Sequence, residues 1–377
     1  MSKRNDSRKS VVVVGGGAAG SAIARALSGK LDPSKHELTL ITSRPFAVHL
    51  PAVIRLTTTS EGKLEDSVLI PYDKLLINNN GTVIVDTVTS IEDGKNGRGG
   101  DVILSSGEKI HYDILILAPG SQWSGPLDLP VGDKAEVLEF IKEWRKKFES
   151  AKGVVVAGGG AAGLEFAGEI KDYWPKKPVT VVHSQSQLLN DVYPDKYRKR
   201  AEQGMRSRGI ELVLNDYIDD WNPSGTITTR KGKKLNGDLL VSAFGARPAT
   251  EFITSLGSDV LTSQGNVKVL PSLQLRSYPN IFAAGDVIDV DEQKQLAKTP
   301  AHAGVIVANV LSILSGGSAT KEYKGSPELI LITNGKNRGF GYFGFLWGIL
   351  VGDFFSRLLK SKGLMIDIAR KAYGQPA

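Results

Sequence analysis

Apolar and polar positions along the chain set out two copies of one pattern. Residues 11–14 are a run of four valines that meets GGGAAG at 15–20, and the Ala-rich stretch SAIARALS follows at 21–28. The same succession returns 143 residues later as VVVAGGGAAG at 154–163, continued by LEFAGEIKDYW. Each copy then reaches a second β-branched run, HELTLITS at 36–43 and KPVTVVHS at 177–184. A short apolar run ending at glycines predicts a buried strand, and the amphipathic stretch behind it predicts a helix. Strand, tight turn, helix and strand, twice over, predict an α/β fold with two doubly wound dinucleotide-binding domains.

The remaining pattern fills in around these copies. Residues 113–118 (DILILA) and 238–244 (DLLVSAF) read as buried strands late in each unit. Residues 82–92 and 101–111 predict a β-hairpin around the loop DGKNGRGG, and 303–315 an apolar helix behind IFAAGDV. From Tyr323 onward the pattern shifts to a short strand, LILIT, and a glycine-rich aromatic stretch, which predicts a small C-terminal α+β domain. The expected division is 1–121 with 249–322, then 122–248, then 323–377.

Composition narrows the chemistry. The chain has 377 residues, 41% of them hydrophobic, enough for the cores of two or three domains. It has no cysteine, which excludes a disulfide scaffold, a thiolate metal site and catalysis by a thiol or CxxC pair. No metal site is expected. The net charge of +7 is unevenly placed: residues 1–10 carry +3, residues 323–377 carry +5, and the body between them carries −1. A near-neutral body argues against specific nucleic-acid binding, whereas basic ends suit an anionic membrane surface or are solvated tails. Residues 339–356 hold 18 positions with one charge, Asp353, but five glycines argue against a membrane span. That stretch is read as a core element, an interfacial or quinone-side surface, or both on different faces. The 11–14 run is too short for a signal peptide, so a cytoplasmic chain is expected.

The glycine motifs carry the most specific chemistry. Within the block Gly15, Gly16, Gly17, Ala18, Ala19 and Gly20, the first glycine permits the tight turn. The third lets a pyrophosphate approach the backbone, and the last lets helix and strand pack closely. Gly158, Gly160 and Gly163 repeat those roles. Each following helix N-terminus offers free N–H groups and the positive end of a dipole. The adenosine ribose is usually gripped by an acidic residue at the end of the second strand. Here that position falls at Thr42, Ser43 and Arg44 in the first copy, and at His183 and Ser184 in the second. With neither a carboxylate to repel a 2′-phosphate nor an arginine to demand one, the second site is expected to take both NADH and NADPH.

Two such units, with ILILAPG closing the first and YPNIFAAGD near the far end, resemble the glutathione-reductase-like two-domain flavoprotein reductases. The stretches HLPAVIR, VVVAGGGAAGLEFAGEIKDYWPKKPVTVVHSQ, LITNGKNRGFG and LLKSKGL resemble, more narrowly, the apoptosis-inducing-factor family on its ferroptosis-suppressor branch. The resemblance implies FAD and NAD(P)H as cofactors. It implies a hydride passing from NAD(P)H to the flavin, then two electrons to a ubiquinone-like quinone, by an enzyme peripheral to a membrane such as a lipid droplet or the mitochondrial outer surface. It places Asp286 of the GD motif on the ribityl chain, Arg55 on the FAD, Val83 on the adenine side and Ala118 at the turn closing the first unit. Gly245, in SAFGARPAT, closes the nicotinamide domain. Glu165 falls at the nicotinamide end of the second helix and Lys360 near the flavin, and His302 follows the FAD motif, where it would face the isoalloxazine or a quinone oxygen.

The chain departs from the family in three places. Ser2 replaces the glycine that myristoylation needs, Pro119 stands where the usual motif is ATG, and several tail positions on the quinone side differ. Ordinary readings stand beside the catalytic ones: a helix-surface Glu165, a structural His302 and a tail lysine at 360. A monodehydroascorbate- or ferredoxin-type reductase and a redox-sensing, DNA-binding effector remain alternatives. The oligomeric state is open, a homodimer included.

Overall fold

The computed structural model describes residues 8–94, 99–345 and 348–377. Lys3 and Arg4 of the basic N-terminal stretch, the tip of the DGKNGRGG loop and residues 346–347 of the aromatic stretch lie outside the described residues. Strand β1 (Lys9–Val14), helix α1 (Ala18–Ser28) and strand β2 (His36–Thr42) realise the first copy, with the strands parallel and Val14 beside Ile41. Helix α2 (Leu50–Thr58) follows.

Strand β3 (Thr82–Val85) then joins the parallel sheet beside β2, where a hairpin arm was expected. Its four residues run in register with Thr39–Thr42, so the apolar TVIV extends an existing sheet. The antiparallel meander is instead β4 (Val88–Asp93), β5 (Gly100–Leu104) and β6 (Lys109–Tyr112). Strand β7 (Ile114–Leu117), wholly buried, lies parallel on the other side of β1.

The chain passes to the second sheet through Ser121–Gln122. Helix α3 (Lys134–Ser150), β8 (Val154–Ala157), α4 (Ala161–Tyr173), β9 (Val179–His183), α5 (Asp195–Arg206), β10 (Glu211–Leu214) and β11 (Leu239–Ser242) form this unit. Its four strands are parallel in the order β10-β9-β8-β11. The return runs through Arg247–Pro248, which pairs antiparallel with Ser121–Gln122. Strands β12 (Gln274–Leu275) and β13 (Tyr278–Ala283) then complete the first sheet in the order β12-β13-β7-β1-β2-β3. In each sheet the glycine-tipped strand, β1 or β8, has neighbours that leave in opposite directions. That is the switch point at which doubly wound folds bind ligands.

Helix α6 (Thr299–Leu314), together with the 3-10 turn Leu296–Lys298 before it, makes the described span long and apolar enough to cross a membrane; half of that apolar window is buried, and the helix packs on α1 and the first core. The C-terminal part begins with an antiparallel sheet of β14 (Leu329–Thr333), β15 (Gly339–Phe343) and β16 (Ile349–Val351). A short helix α7 (Asp353–Ser356), a π-helical turn (Arg357–Ser361) and α8 (Ile366–Ala372) follow. The described parts of the aromatic stretch therefore fold as two strands and a short helix, and Phe340 of β15 meets the ring of Tyr197 of the second unit at 5.9 Å. The last residues return to the first unit, where buried Tyr373 packs near Tyr72.

Candidate functional site

The two glycine turns have the same build. Gly15 and Gly158 adopt φ of +108° and +127°, and a Cβ on either would strike the carbonyl of Ala118 or Ala243. A Cβ on Gly20 or Gly163 would strike the carbonyl oxygen of Gly15 or Gly158. Around Gly17 and Gly160 there is open space. The loop carbonyls turn inward. That of Gly16 accepts from Ser21 Oγ at 2.9 Å and Tyr72 Oη at 2.8 Å, and that of Gly159 accepts from the Leu189 N–H at 2.8 Å.

Helices α1 and α4 start at Gly17 and Gly160 with no side-chain cap and no acidic residue in the first turn. Helix α3, by contrast, opens in a full capping box of Asp133 and Glu136. The two glycine-led helices thus leave their N–H groups free behind an approach without a Cβ, which fits a pyrophosphate.

A cavity of about 880 Å³ opens at the first turn, lined by Gly15, Gly16, Gly17, Ser43 and Arg44 among others. Backbone carbonyls hold the Arg44 guanidinium, that of Pro130 at 2.7 Å from Nε and that of Leu129 against Nη2. Asp286 is reached through Ser121, which lines the cavity and donates Oγ to the carboxylate at 2.8 Å. The preceding Gly285 has φ +79° and faces Ala19. The volume lies within the range of cofactor pockets, and its phosphate cradle and polar strand end fit an adenine dinucleotide such as FAD. Asp86, not singled out in the sequence, also lines it, and hydrogen bonds from Ser105 and Ser106 hold its carboxyl down at about 2. Its position just past β3 is the only signal that would have found it.

Other expected residues sit behind the cavity wall. Ala118 packs beneath the turn against Gly15 and Gly20, while Pro119 and Gly120 after it line the cavity. Val83 is half-buried within β3. Ala18 and Ala19 form the first turn of α1.

His302 lies under the GD turn. Its Nδ1 accepts the Gly285 N–H at 3.2 Å and its Nε2 lies 3.1 Å from Glu292 Oε1. Burial lowers its pKa, against the pull of Glu292. Glu292 also accepts from Tyr323 Oη at 2.6 Å.

At the second turn His183 makes the matching contact, its Nδ1 accepting the Gly159 N–H at 3.2 Å. Burial lowers its pKa as well. That acceptor role puts the proton on Nε2, which is buried with no hydrogen-bond partner. Gly245 stands exposed just beyond β11.

Glu165 and Lys360 come together. Lys360 Nζ donates to Glu165 Oε1 at 2.6 Å and to the Leu331 carbonyl at 2.9 Å, and the Thr333 N–H donates to the same Glu165 oxygen at 2.9 Å. Arg55 turns to Glu169, with Nε and Nη2 donating to its two oxygens at 2.8 and 2.7 Å. Its Nη2 also donates to the Ser361 carbonyl at 2.8 Å. Arg55 is therefore bound to α4 and the tail and lies off the cavity wall. Burial pushes the Glu169 carboxyl up, opposed by Arg55. His49 adds a contact to the tail, its Nε2 lying 2.7 Å from the Leu364 carbonyl.

Comparison with known proteins agrees with this geometry. The family model for pyridine nucleotide-disulphide oxidoreductases matches residues 9–305. The FAD-dependent oxidoreductase FVFD30 of Flammulina velutipes is 50% identical over 321 residues, covering 85% of this chain and 99% of that protein. Ferroptosis suppressor protein 1 of Taeniopygia guttata is 29% identical over 374 residues, 97% of this chain and 96% of that protein. Among solved structures, the sulfide:quinone oxidoreductase of Aquifex aeolicus shares the fold, with a TM-score of 0.77, 20% identity, and coverage of 97% of this chain and 92% of that one.

Proposed function

We propose that this chain, which belongs to the pyridine nucleotide-disulphide oxidoreductase family, is an FAD-dependent NAD(P)H:quinone oxidoreductase acting at a membrane surface. The family takes its name partly from a disulphide, and this chain has no cysteine to form one. The two electrons of NAD(P)H must therefore leave to an acceptor that is not a thiol pair of its own. In the net reaction NAD(P)H gives a hydride, solvent gives one proton, and the quinone leaves as quinol beside NAD(P)⁺. FAD, when bound, supplies the two-electron relay between a donor and an acceptor that need not meet.

The observation that carries the quinone reading is the two-sided segment 353–362. Its inner side sets Lys360 on Glu165. Its outer side leaves Phe354, Phe355, Leu358 and Leu359 exposed to 73%, 53%, 70% and 46%, beside exposed Arg357 and Lys362. A large apolar side chain gains about 1.5–3 kcal/mol on leaving water, so four on one short stretch favour an acyl layer. Basic heads next to them suit lipid phosphate. An apolar acceptor dissolved in that layer would reach the Lys360–Glu165 pair along the same segment.

In this reading Gly17, Ser43, Arg44 and Asp286 hold the FAD, and Gly160, Gly163, His183 and Gly245 hold the NAD(P)H. Lys360 offers a cation at the junction, kept in place by Glu165. The test is to record the flavin spectrum of the purified protein and add NADH without oxygen. A short-chain ubiquinone, ferredoxin or monodehydroascorbate is then added separately. Bleaching by NADH and recovery with the quinone fastest are expected; recovery only with ferredoxin or monodehydroascorbate would overturn the quinone reading.

A further inference from the structure

We propose that Trp221 and Phe244 form an aromatic clasp for the adenine ring of NAD(P)H. The inference rests on the second glycine turn being the nicotinamide dinucleotide site, and it starts from the match between the two units. Val14 lies beside Ile41 in the first, and Ala157 beside Val182 in the second, so Thr42 and His183 are equivalent. The chain then leaves each sheet alike: the Asp86 N–H donates to the Thr42 carbonyl at 2.9 Å, and the Asp216 N–H to the His183 carbonyl at 3.1 Å. On the other side Gly15 abuts Ala118 and Pro119, and Gly158 abuts Ala243 and Phe244.

In the first unit the loops that begin at Asp86 and Pro119 are walls of the 880 Å³ cavity. Their counterparts begin at Asp216 and Phe244. From them Trp221 and Phe244 meet edge-to-face, ring centres 5.0 Å apart, and both stay exposed, at 40% and 47%. Two large exposed rings in contact, one of them beside Gly158 and the uncapped start of α4, form a stacking surface at the second glycine turn.

The ring they receive follows from sheet order. Trp221 comes from the loop after β10, which borders β9 and His183, the side of the adenosine half. The nearest arginine on that loop, Arg230, lies over the Tyr217 ring at 4.4 Å and is paired with Asp219. The clasp thus reads the adenine that NADH and NADPH share, not the 2′-phosphate that separates them.

The experiment uses the full-length, FAD-loaded protein with Trp221→Ala, Phe244→Ala and Trp221→Phe. Adenosine diphosphate ribose binding is measured by calorimetry, and turnover with NADH, NADPH and reduced nicotinamide mononucleotide, which has no adenine. Each alanine variant should raise the Kd for adenosine diphosphate ribose and the KM for both dinucleotides by about ten- to a hundredfold. The kcat, the flavin content and the mononucleotide rate should stay within about twofold, and Trp221→Phe should recover most of the affinity. An unchanged Kd in both alanine variants, or an equal loss with the mononucleotide, would overturn the clasp. A parent protein that neither binds adenosine diphosphate ribose nor reacts with NADH would overturn the assignment of the second turn itself, and the clasp with it.

Discussion

Lys360 Nζ lies 2.6 Å from Glu165 Oε1, and this contact joins the C-terminal tail to α4, the helix behind the second glycine turn. One turn along the same helix, Glu169 holds Arg55 of α2. Two carboxylates at i and i+4 share a helix face and would repel each other without counter-ions. Here each has its own cation, one from the first unit and one from the tail. The side chains are nearly out of water, with exposures of 5–14%, so losing one partner strands a charge.

Lys360→Met should therefore destabilise the protein by about 3 kcal/mol, and adding Glu165→Gln should recover part of the loss. Unfolding of the FAD-loaded proteins in denaturant measures this. Quinone turnover separates a functional lysine from a purely structural one: the double variant should stay slow even where stability returns. Restored turnover would remove Lys360 from the quinone side.

Arg55 gives a second test. Its guanidinium is committed to Glu169 and the Ser361 carbonyl, so replacing the pair together, Arg55→Met with Glu169→Leu, should keep the flavin-to-protein ratio near that of the parent. Arg55→Met alone should destabilise by about 3–5 kcal/mol, because it leaves Glu169 buried and unpaired. Loss of flavin from a stable double variant would show instead that Arg55 reaches the cofactor.

The contrast between these residues explains what the sequence discloses. The turns at Gly15 and Gly158 are local. Their function depends on spacing within ten residues, and the flanking strands follow from unbroken apolar runs. The partners of Arg55, His302 and Lys360 depend on which elements the topology brings together. Arg55 and Glu169 are 114 residues apart, Glu165 and Lys360 are 195 apart, and no spacing rule spans such gaps. The 82–85 segment departs from the expected hairpin for a related reason. TVIV has the same short apolar pattern in a hairpin as in a sheet edge, and the choice was made by register with β2. The match of Phe244 to Pro119 needs both sheets in place before it can be read.

The two histidines give a pH dependence whose sign follows from their contacts. His302 and His183 each accept a glycine N–H, a role open only to the form without a proton on Nδ1, and burial lowers both pKa values. A lowered pKa in the folded state means the unfolded chain binds more protons as pH falls. The stabilisation is thus complete above about pH 6.5 and drains away as pH falls through the lower folded values. His302→Asn keeps an acceptor near Nδ1 but does not titrate, while Glu292 retains Tyr323 and Lys298. The variant should lose about 1 kcal/mol at pH 8 and show a shallower fall in melting temperature toward pH 5. A slope equal to the parent's would remove His302 as a source of the acid sensitivity.

Membrane docking should depend on the outward side of the 353–362 segment. Phe354→Asp with Leu358→Asp removes two of its most exposed apolar groups and adds two negative charges. Flotation with vesicles containing anionic lipid should fall by at least tenfold per position, given about 1.5–3 kcal/mol for each large apolar side chain. Turnover with a water-soluble quinone should remain. Undiminished flotation would move the lipid contact elsewhere on the protein.

The glycine turns make the sharpest prediction, because their positions separate folding from binding. Gly17 and Gly160 have φ of −73° and −81°, which any residue adopts, and an added Cβ meets nothing within 4 Å. A valine at either site should fold, at a cost of about 1 kcal/mol for the poorer helix cap, while its methyls occupy the phosphate approach. Gly17→Val should yield a folded protein with almost no flavin. Gly160→Val should keep its flavin yet need at least a hundredfold more NADH, roughly 3 kcal/mol of lost binding. Gly15→Val should fail earlier, because φ of +108° and the Ala118 carbonyl leave no place for a side chain. Circular dichroism and the flavin-to-protein ratio distinguish the three. A Gly17→Val protein that keeps its flavin would show that the pyrophosphate does not sit at the N-terminus of α1.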